Sequence, residues 1–328
     1  MKAMIRAVGA YAPARVMTNK ELSTIVDTSD EWIVDKTGVE RRHIAADDEA
    51  TSDLAIKASR MALGRAEMPA EEIDLIILAT STPDYPSFPS TACIVQDRIG
   101  ARNAGAVDVV AACTGFIYAL DMASAYVKSK KLRNVLVIGA EVMSRILDWS
   151  DRATCVLFGD GAGAALVTPN EGHGPSDIVY SLLGSDGSGD RALERTVGGA
   201  RNPLRYDDTD RHETCIKMDG RRVYTFAVRV LVESIEKILR DTELGLNDIA
   251  YVVPHQANYR IIAAAAQRSG IPLAKFYMNL MEYANTSAAS IPLALNEMHE
   301  KRLLRRGDYL LFIGFGAGLT YGANLVRY

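Results

Sequence analysis

The sequence contains few cysteines, and they lie far apart. Its 328 residues include four, Cys93, Cys113, Cys155 and Cys215, with no CxxC pair and no Cys/His cluster of zinc-binding spacing. Four scattered cysteines do not make a disulfide framework, and they suggest a reducing compartment. We therefore exclude a disulfide-rich secreted domain and predict no metal site.

The sequence also lacks long apolar runs and an excess of basic residues. No stretch approaches the roughly 20 apolar residues that cross a membrane, and the N-terminal segment is too polar for a signal peptide. The formal net charge is -4, so no general basic field attracts nucleic acid. We expect a cytoplasmic protein that binds neither membranes nor nucleic acid, and any acidic partner must meet a local basic patch.

Short apolar strands alternate with amphipathic helices along the chain, which predicts an α/β fold. The predicted strands include 73–79, 134–139, 250–254, 275–281 and 308–314. The predicted helices include 51–66, 223–239, 258–268 and 287–303. The segment 154–168 is interpreted as a strand, a tight Gly-rich turn at GDGAGA and a second strand; no Lys-Ser/Thr follows, as a P-loop would require. The segment 184–212 has no periodicity and is predicted to be a long loop, either a lid or a subunit contact.

The two halves of the chain resemble each other. Residues 61–80 resemble 238–256, and 130–141 resemble 303–316, both at an offset of roughly 175 residues. Chance similarity between αβ units is the alternative explanation. The conserved order of the two pairs favours an internal duplication with two α/β halves.

Cys113 follows an apolar run that turns into a helical pattern, in 106–127. A cysteine at such a junction lies at the positive end of the helix dipole, which favours the thiolate. Taken alone, the pattern is more typical of a small buried residue. His255 follows the strand 250–254, and Asn285 occupies the place in the second half that Cys113 occupies in the first. Because strand ends gather ligands in α/β sheets, we expect these three side chains to share one pocket.

These three residue types suit acyl transfer. A thiolate attacks an acyl carbonyl and holds the acyl group as a thioester, while imidazole and amide N–H groups donate to an oxyanion or enolate. The glycines of 314–318 would let backbone N–H groups approach the cysteine.

Six motifs carry a family resemblance: DEWIVDKTGVERRHI, VVAACTGF, FGDGAGAA, VVPHQAN, YANTSAAS and GFGAGLTYGANLVRY. Together they resemble the β-ketoacyl-acyl-carrier-protein synthase III family of bacterial fatty acid synthesis, along the whole chain. The resemblance implies a thiolase-like fold of two duplicated βαβαβαββ halves in a five-layered αβαβα arrangement, working as a homodimer. The halves would be 1–172, carrying Cys113, and 173–328, carrying His255 and Asn285.

The resemblance also implies roles. Cys113 would be acylated by acetyl-CoA or another short acyl-CoA, with no cofactor. His255 and Asn285 would bind the thioester oxygen of malonyl-acyl-carrier protein and stabilise the enolate after decarboxylation. The product would be a β-ketoacyl-acyl-carrier protein. The backbone N–H groups of Cys113 and Ala317 would form the oxyanion hole.

Further residues would bind the substrates and the partner. Trp32 and Arg152 would enclose the CoA adenine, Thr37 would contact its edge, Asn258 the pantetheine arm, and Lys36 the phosphates, where many relatives carry Arg. Phe88 would cross the dimer interface to close the partner's acyl pocket. The acidic carrier protein would dock on a patch of Gln256, Arg260, Arg221 and Arg222, although solvated surface charges explain the arginines equally well.

Two rival functions remain open. One is a starter-unit ketosynthase or acyltransferase of a secondary pathway, which would keep Cys113 and His255. The other is a non-catalytic acyl-CoA-binding scaffold, against which the intact Cys/His/Asn set argues. Retention of Asn285 favours decarboxylative condensation over simple acyl transfer.

Overall fold

The structure is a computed structural model that describes residues 1–172, 174–204 and 211–328. The strands are β1 (Ala3–Tyr11), β2 (Arg15–Thr18), β3 (Arg41–Ile44), β4 (Leu75–Ala79), β5 (Gly105–Val109), β6 (Val135–Glu141), β7 (Gly161–Pro169), β8 (Asp177–Ser185), β9 (Leu193–Glu194), β10 (Lys217–Met218), β11 (Ile249–Pro254), β12 (Tyr309–Gly316) and β13 (Thr320–Arg327). The helices are α1 (Asn19–Leu22), α2 (Asp30–Thr37), α3 (Thr51–Ala66), α4 (Thr91–Ile99), α5 (Gly115–Lys128), α6 (Arg152–Cys155), α7 (Gly220–Thr242), α8 (Tyr259–Ser269), α9 (Leu280–Tyr283) and α10 (Ser290–Glu300).

Two sheets of matching topology form the framework. The first has the strand order β1-β7-β6-β4-β5, with β4 parallel to both β5 and β6. The second has the order β11-β12-β13-β8, in which β11 and β12 are parallel and β13 is antiparallel to both of its neighbours. The repeated arrangement agrees with the internal duplication inferred from the sequence.

The sheets and helices stack in five layers. Helix α3 covers the outer face of the first sheet, α5 and α10 lie between the two sheets, and α7 with α8 covers the outer face of the second. Three buried apolar clusters correspond to the three helical layers, and the middle cluster draws side chains from both sheets. The expected αβαβα arrangement is therefore confirmed.

The strand predicted at 275–281 is wrong. Leu273–Lys275 forms a 3₁₀ turn, α9 begins at Leu280, and Phe276 keeps only a single parallel bridge to Val252. The pairing stops because side chains take over the backbone partners: the Lys275 ammonium donates to the Ile249 carbonyl at 2.7 Å, and the Asn279 N–H donates to Gln256 Oε1 at 3.0 Å. The second sheet consequently has four strands where the first has five.

The turn predicted at GDGAGA is also wrong. The segment before it forms the short helix α6, capped by the Asp151 carboxylate, and β7 begins at Gly161 inside the motif. The glycines serve packing instead. A Cβ on Gly163 would lie 2.6 Å from Pro292 Cβ, and one on Gly139 would lie 2.2 Å from the Ala288 carbonyl oxygen. Their lack of side chains lets the start of α10 lie directly on the first sheet.

Helix α10 begins later than predicted, at Ser290, so Pro292 falls in its first turn, where a missing N–H costs nothing.

The segment 184–212, predicted to be a long loop, contains some regular secondary structure. It completes β8, forms a 3₁₀ turn at Gly187–Ala192 and contributes β9, which pairs with β10. Residues 205–210 of this segment lie outside the described residues. Over the ranges that the structure describes, no helix is long and apolar enough to cross a membrane.

We expect Gly163→Ala to destabilise the protein, because its new methyl group would press on the backbone of α10. Overpacking of this kind typically costs about 1–3 kcal/mol. Thermal and denaturant unfolding would measure the loss. Gly64→Ala is the matched control: a Cβ there meets nothing within 4 Å, and alanine inside helix α3 should leave stability unchanged or raise it by about 1 kcal/mol. Equal melting temperatures for the two variants would contradict the packing role.

Candidate active site

Cys113 lies in a 3₁₀ turn, Ala112–Thr114, that connects the end of β5 to the first residue of α5. Ala112 has a φ of 46°, a left-handed conformation that non-glycine residues rarely adopt. This turn directs the Cys113 side chain inward, and only 7% of the residue is exposed. The sequence prediction of a strand-to-helix junction is confirmed, with the extra turn as a detail that it missed.

The end of β12 presses against this turn. A Cβ on Gly316 would lie 2.8 Å from the Cys113 backbone nitrogen, and one on Gly314 would lie 3.2 Å from His255 Cβ. Thr114 and Thr320 join the two segments through a hydroxyl–hydroxyl hydrogen bond of 2.8 Å. The glycines therefore allow the close backbone approach that the sequence suggested.

His255 directly follows β11, as predicted, and is 2% exposed. Its backbone N–H donates to the Ile313 carbonyl at 2.7 Å, and its Nδ1 hydrogen-bonds Ser290 Oγ at 2.8 Å. Ser290 Oγ also accepts from the Gln256 N–H at 3.4 Å, so its own proton is free for Nδ1. This pattern fits the tautomer that carries its proton on Nε2, the nitrogen that can donate into the cavity.

Asn285 is fixed by the chain that precedes β7. Its N–H donates to the Leu157 carbonyl at 2.9 Å, and its carbonyl accepts from the Gly159 N–H at 3.0 Å. The Asn285 side-chain oxygen accepts the Ser287 N–H at 2.8 Å. Because its oxygen is occupied in this way, the amide presents its NH₂ group as the free donor.

Cys113, His255 and Asn285 line one cavity of about 220 Å³. A second cavity of about 120 Å³ also reaches Cys113 and is lined by Ala317, Ser287 and apolar side chains such as Met143 and Ile216. The three predicted reactive residues are thus brought together, and Ala317 lies near Cys113 as expected. Their chemical roles stay predictions at this point.

Burial controls the electrostatics of the site. Burial raises the pKa of the Cys113 thiol to about 12. The Ser287 side chain lowers this pKa, and the negative charge of Glu141 raises it. Burial also lowers the pKa of His255 to about 3. The expectation that the helix terminus favours the thiolate is therefore wrong for the closed pocket, because desolvation outweighs the dipole. The resting pair is a neutral thiol and a neutral imidazole.

The residues predicted to bind CoA also line the first cavity: Trp32, Lys36, Thr37, Arg152 and Asn258. The Arg152 guanidinium lies over the Trp32 ring, 4.8 Å from its centroid, so the two groups stack on each other without a gap for a base. The Thr37 hydroxyl donates to the Ile33 carbonyl, and the Asn258 amide donates to the Lys36 carbonyl. A bound adenine would therefore have to displace the arginine from the indole.

The predicted docking patch needs correction. Gln256 is 1% exposed, and its amide bonds the Pro254 and Tyr277 carbonyls, so it cannot meet a partner protein. Arg260 is accessible but forms an ion pair with Asp35 at 2.9 Å. Arg221 and Arg222 are exposed in the first turn of α7 and lie beside one shallow cavity with Arg229, a basic residue that the sequence analysis did not single out.

Phe88 is 85% exposed, in a loop that also exposes Tyr85. An aromatic ring this accessible is unusual for an isolated chain and fits a surface that a second subunit covers.

Two residues of the site were missed from the sequence. Ser287 lies in the YANTSAAS motif, two positions after Asn285, and Glu141 ends the apolar strand β6. Glu141 could have been noticed in the sequence, because it is a single acidic residue at the end of an apolar strand. No group of three or more His, Cys, Asp or Glu side chains within the described ranges is arranged to hold a metal ion.

The chain resembles known proteins in both sequence and fold. The family model of 3-oxoacyl-[acyl-carrier-protein] synthase III matches residues 107–187. The model of the C-terminal part of the same family matches residues 239–328. The β-ketoacyl-[acyl-carrier-protein] synthase III of Clostridium acetobutylicum is 48% identical over 324 residues, covering 99% of this chain and 98% of that protein.

Solved structures agree. The crystal structure of 3-oxoacyl-[acyl-carrier-protein] synthase III from Aquifex aeolicus VF5 matches with a TM-score of 0.92 and 45% identity, covering 99% of this chain and all of that one. The priming β-ketosynthase of the R1128 polyketide pathway matches with a TM-score of 0.91 and 36% identity, over 99% of this chain and 96% of that one. The fold is therefore thiolase-like, and the chain belongs to the β-ketoacyl-[acyl-carrier-protein] synthase III family of acyl-transferring condensing enzymes.

Proposed function

We propose that this protein carries out the initiating condensation of bacterial type II fatty acid synthesis. It would join a short acyl group, delivered as acetyl-CoA or a similar thioester, to malonyl-acyl-carrier protein. The products would be β-ketoacyl-acyl-carrier protein, CoA and CO₂. The observation that carries the proposal is the single cavity lined by Cys113, His255 and Asn285, where the two sheets meet.

In the first half-reaction, Cys113 would attack the thioester carbonyl of the acyl-CoA. The new C–S bond forms as the bond to CoA breaks, and the acyl group is held on Cys113. The carbonyl oxygen becomes negative in the transition state. The backbone N–H groups of Cys113 and Ala317 are the proposed donors to this oxygen, and Gly316 allows the two segments to lie close together.

In the second half-reaction, malonyl-acyl-carrier protein would lose CO₂ and leave an enolate. The Nε2–H of His255 and the NH₂ of Asn285 are suited to stabilise that enolate, because both groups are neutral donors held by Ser290 and Ser287. The enolate carbon then attacks the acyl-Cys113 carbonyl and releases the thiolate. The thiol, the imidazole and the amide supply all the chemistry in this scheme, so we propose that no cofactor takes part.

The CoA would enter along Trp32, Arg152 and Asn258. Insertion of the adenine between the indole and the guanidinium would replace their present cation–π contact with two stacked faces. Lys36 and Thr37 lie beside this path and would contact the nucleotide end.

We further propose a cytoplasmic homodimer whose chains divide into halves at 1–172 and 173–328. The exposed Phe88 loop would lie in the dimer interface and close the partner's acyl pocket. The acidic carrier protein would dock beside Arg221, Arg222 and Arg260. The second candidate is a priming role in secondary metabolism, because one similar structure is the priming β-ketosynthase of a polyketide pathway. The higher identity to β-ketoacyl-[acyl-carrier-protein] synthase III, 48% against 36%, disfavours it.

Cys113→Ala should abolish acyl uptake, because Cys113 is the only cysteine that lines the cavity shared with His255 and Asn285 in the described structure. Intact-protein mass spectrometry after incubation with a panel of acyl-CoAs would test this and reveal the preferred chain. Cys93→Ala is the control, since Cys93 is exposed and should leave uptake unchanged. Acetyl transfer onto the Cys113→Ala variant would refute the nucleophile assignment.

Asn285→Ala should keep acyl transfer but lose condensation by about 10²–10³-fold, the usual effect of removing one oxyanion donor. The two half-reactions are measured separately, by acyl-enzyme formation and by decarboxylation of malonyl-carrier protein. Asn258→Ala is the contrasting variant, because Asn258 lines the proposed CoA entrance and its loss should raise KM for acyl-CoA. Equal loss of both half-reactions in Asn285→Ala would contradict the division of labour.

Arg221→Glu and Arg222→Glu should each raise KM for malonyl-carrier protein about two- to fivefold, the range expected for one exposed charge contact. Arg260→Glu should act in the same direction. Uptake from acetyl-CoA should change little, and added salt should reduce the difference between wild type and variants. Arg98→Glu, exposed near the C-terminus of α4, is the control. An unchanged KM in all three variants would place the docking surface elsewhere.

A further inference from the structure

Asn285 lies at the end of a chain of hydrogen bonds that begins at a buried carboxylate. Glu141 ends β6 and is 0% exposed. Its Oε1 accepts from the Ser287 hydroxyl at 2.9 Å, and the backbone N–H of Ser287 donates to Asn285 Oδ1 at 2.8 Å. Glu141 belongs to the first sheet, whereas Asn285 belongs to the segment before α10. The two bonds therefore connect the first sheet to an active-site amide from the other half of the chain.

The second of these bonds determines how the Asn285 amide is oriented. A backbone N–H can only donate, so the side-chain atom that faces the Ser287 N–H must be the oxygen. The NH₂ group is thereby left as the free donor of a residue that lines the cavity with Cys113 and His255. An amide turned the other way would present its oxygen to a developing negative charge and repel it. The orientation of the amide thus decides whether Asn285 can stabilise an enolate.

Ser287 makes its N–H available through an unusual backbone conformation. Its φ is 48°, in the left-handed region that residues other than glycine rarely adopt and keep only where surrounding contacts hold them. Ser287 is 1% exposed and begins the 3₁₀ turn Ser287–Ala289. The hydrogen bond from its hydroxyl to Glu141 ties this turn to the end of β6. We infer that the bond stabilises the left-handed conformation.

Glu141 is itself held firmly by donors from the loop after β4. The hydroxyls of Thr80 and Thr82 lie 3.1 Å and 2.6 Å from its Oε2, and the Ser81 N–H donates to the same oxygen at 3.0 Å. Thr82 Oγ1 accepts from the Val142 N–H at 2.9 Å, so its own proton is available for the carboxylate. A buried acid is costly to keep, and this one has a full set of neutral donors in return. The network makes Glu141 a fixed point to which the Ser287 turn is attached.

We propose that Glu141 is a positioning residue for the decarboxylative half-reaction. Through the Ser287 hydroxyl it holds the turn whose N–H fixes the Asn285 amide, with the NH₂ group directed at the enolate. Neither Glu141 nor Ser287 gains or loses a proton in this role. The inference rests on the proposed function, because Glu141 has this role only if Asn285 stabilises the enolate.

Ser287→Ala and Glu141→Gln should each slow the decarboxylation of malonyl-carrier protein about 10- to 10²-fold, the range expected when a reacting group is misplaced by about an ångström. Acyl uptake from acetyl-CoA, followed by intact-protein mass spectrometry, should stay within a few-fold of wild type. In Glu141→Gln it should be no slower, because the pKa of Cys113, raised mainly by burial, is raised further by the charge of Glu141. General disruption of the fold would instead slow both half-reactions.

A double variant separates positioning from a merely structural role. If Ser287 acts through the Asn285 amide, its truncation should cost nothing more once that amide is absent. Ser287→Ala combined with Asn285→Ala should therefore decarboxylate at the rate of Asn285→Ala alone. Ser287→Gly should retain more activity than Ser287→Ala, because glycine adopts the left-handed conformation without the hydroxyl bond. Losses that multiply in the double variant, or equal losses in the glycine and alanine variants, would overturn the proposal.

Thr80→Val is the matched control. The Thr80 hydroxyl bonds the same carboxylate but neither Ser287 nor Asn285 in the described structure, so decarboxylation should stay within a few-fold of wild type. A wild-type rate in Ser287→Ala would contradict the positioning role, and so would an equal loss in Thr80→Val. If Glu141→Gln does not fold, the Ser287 variants still decide. Unimpaired decarboxylation in Asn285→Ala would instead count against the proposed function itself.

Discussion

The close contact between the backbone of β12 and the turn that carries Cys113 is the constraint on which the site depends. Any side chain at Gly316 would collide with the Cys113 nitrogen, and one at Gly314 would crowd His255. With glycine at both positions, a thiol from one sheet and an imidazole from the other reach a common cavity. Close backbone packing is also needed where α10 meets the first sheet. Gly139 and Gly163 let the start of α10 lie on this sheet, which positions the preceding segment with Asn285 and Ser287.

Desolvation dominates the chemistry inside this contact. A helix terminus favours a thiolate by a modest amount, whereas complete burial raises the Cys113 pKa to about 12. The same burial keeps His255 neutral and therefore able to serve as a donor at any physiological pH. The pocket thus suits the enolate stabilisation that we propose, while the proposed nucleophile must lose its proton during the reaction.

Much of this arrangement could be predicted from the sequence, because strand ends and motif order are local properties. The positions of Cys113 and His255 follow from the strands that precede them, while the place of Asn285 came from its motif and the five layers from the family resemblance. The strand at 275–281 could not be excluded, since its loss depends on where the Lys275 and Gln256 side chains bond. The family resemblance placed Gln256 in the docking patch, yet its amide donates to the buried carbonyls of Pro254 and Tyr277. Glu141 and its partner Ser287 were missed because the hydrogen-bond partners of Glu141 lie 59 to 146 residues away in the chain.

The middle helical layer has a consequence for how the chain can be divided. Helix α10 belongs by sequence to the second half, yet it packs on β1 and β7 of the first, and the apolar cluster around it includes side chains from both sheets. If the chain were cut between the two sheets, each fragment would expose an apolar face. Neither fragment would then be expected to fold by itself. The duplicated halves are therefore one cooperative folding unit, and an ancestral single half would have needed a second copy of itself to be stable.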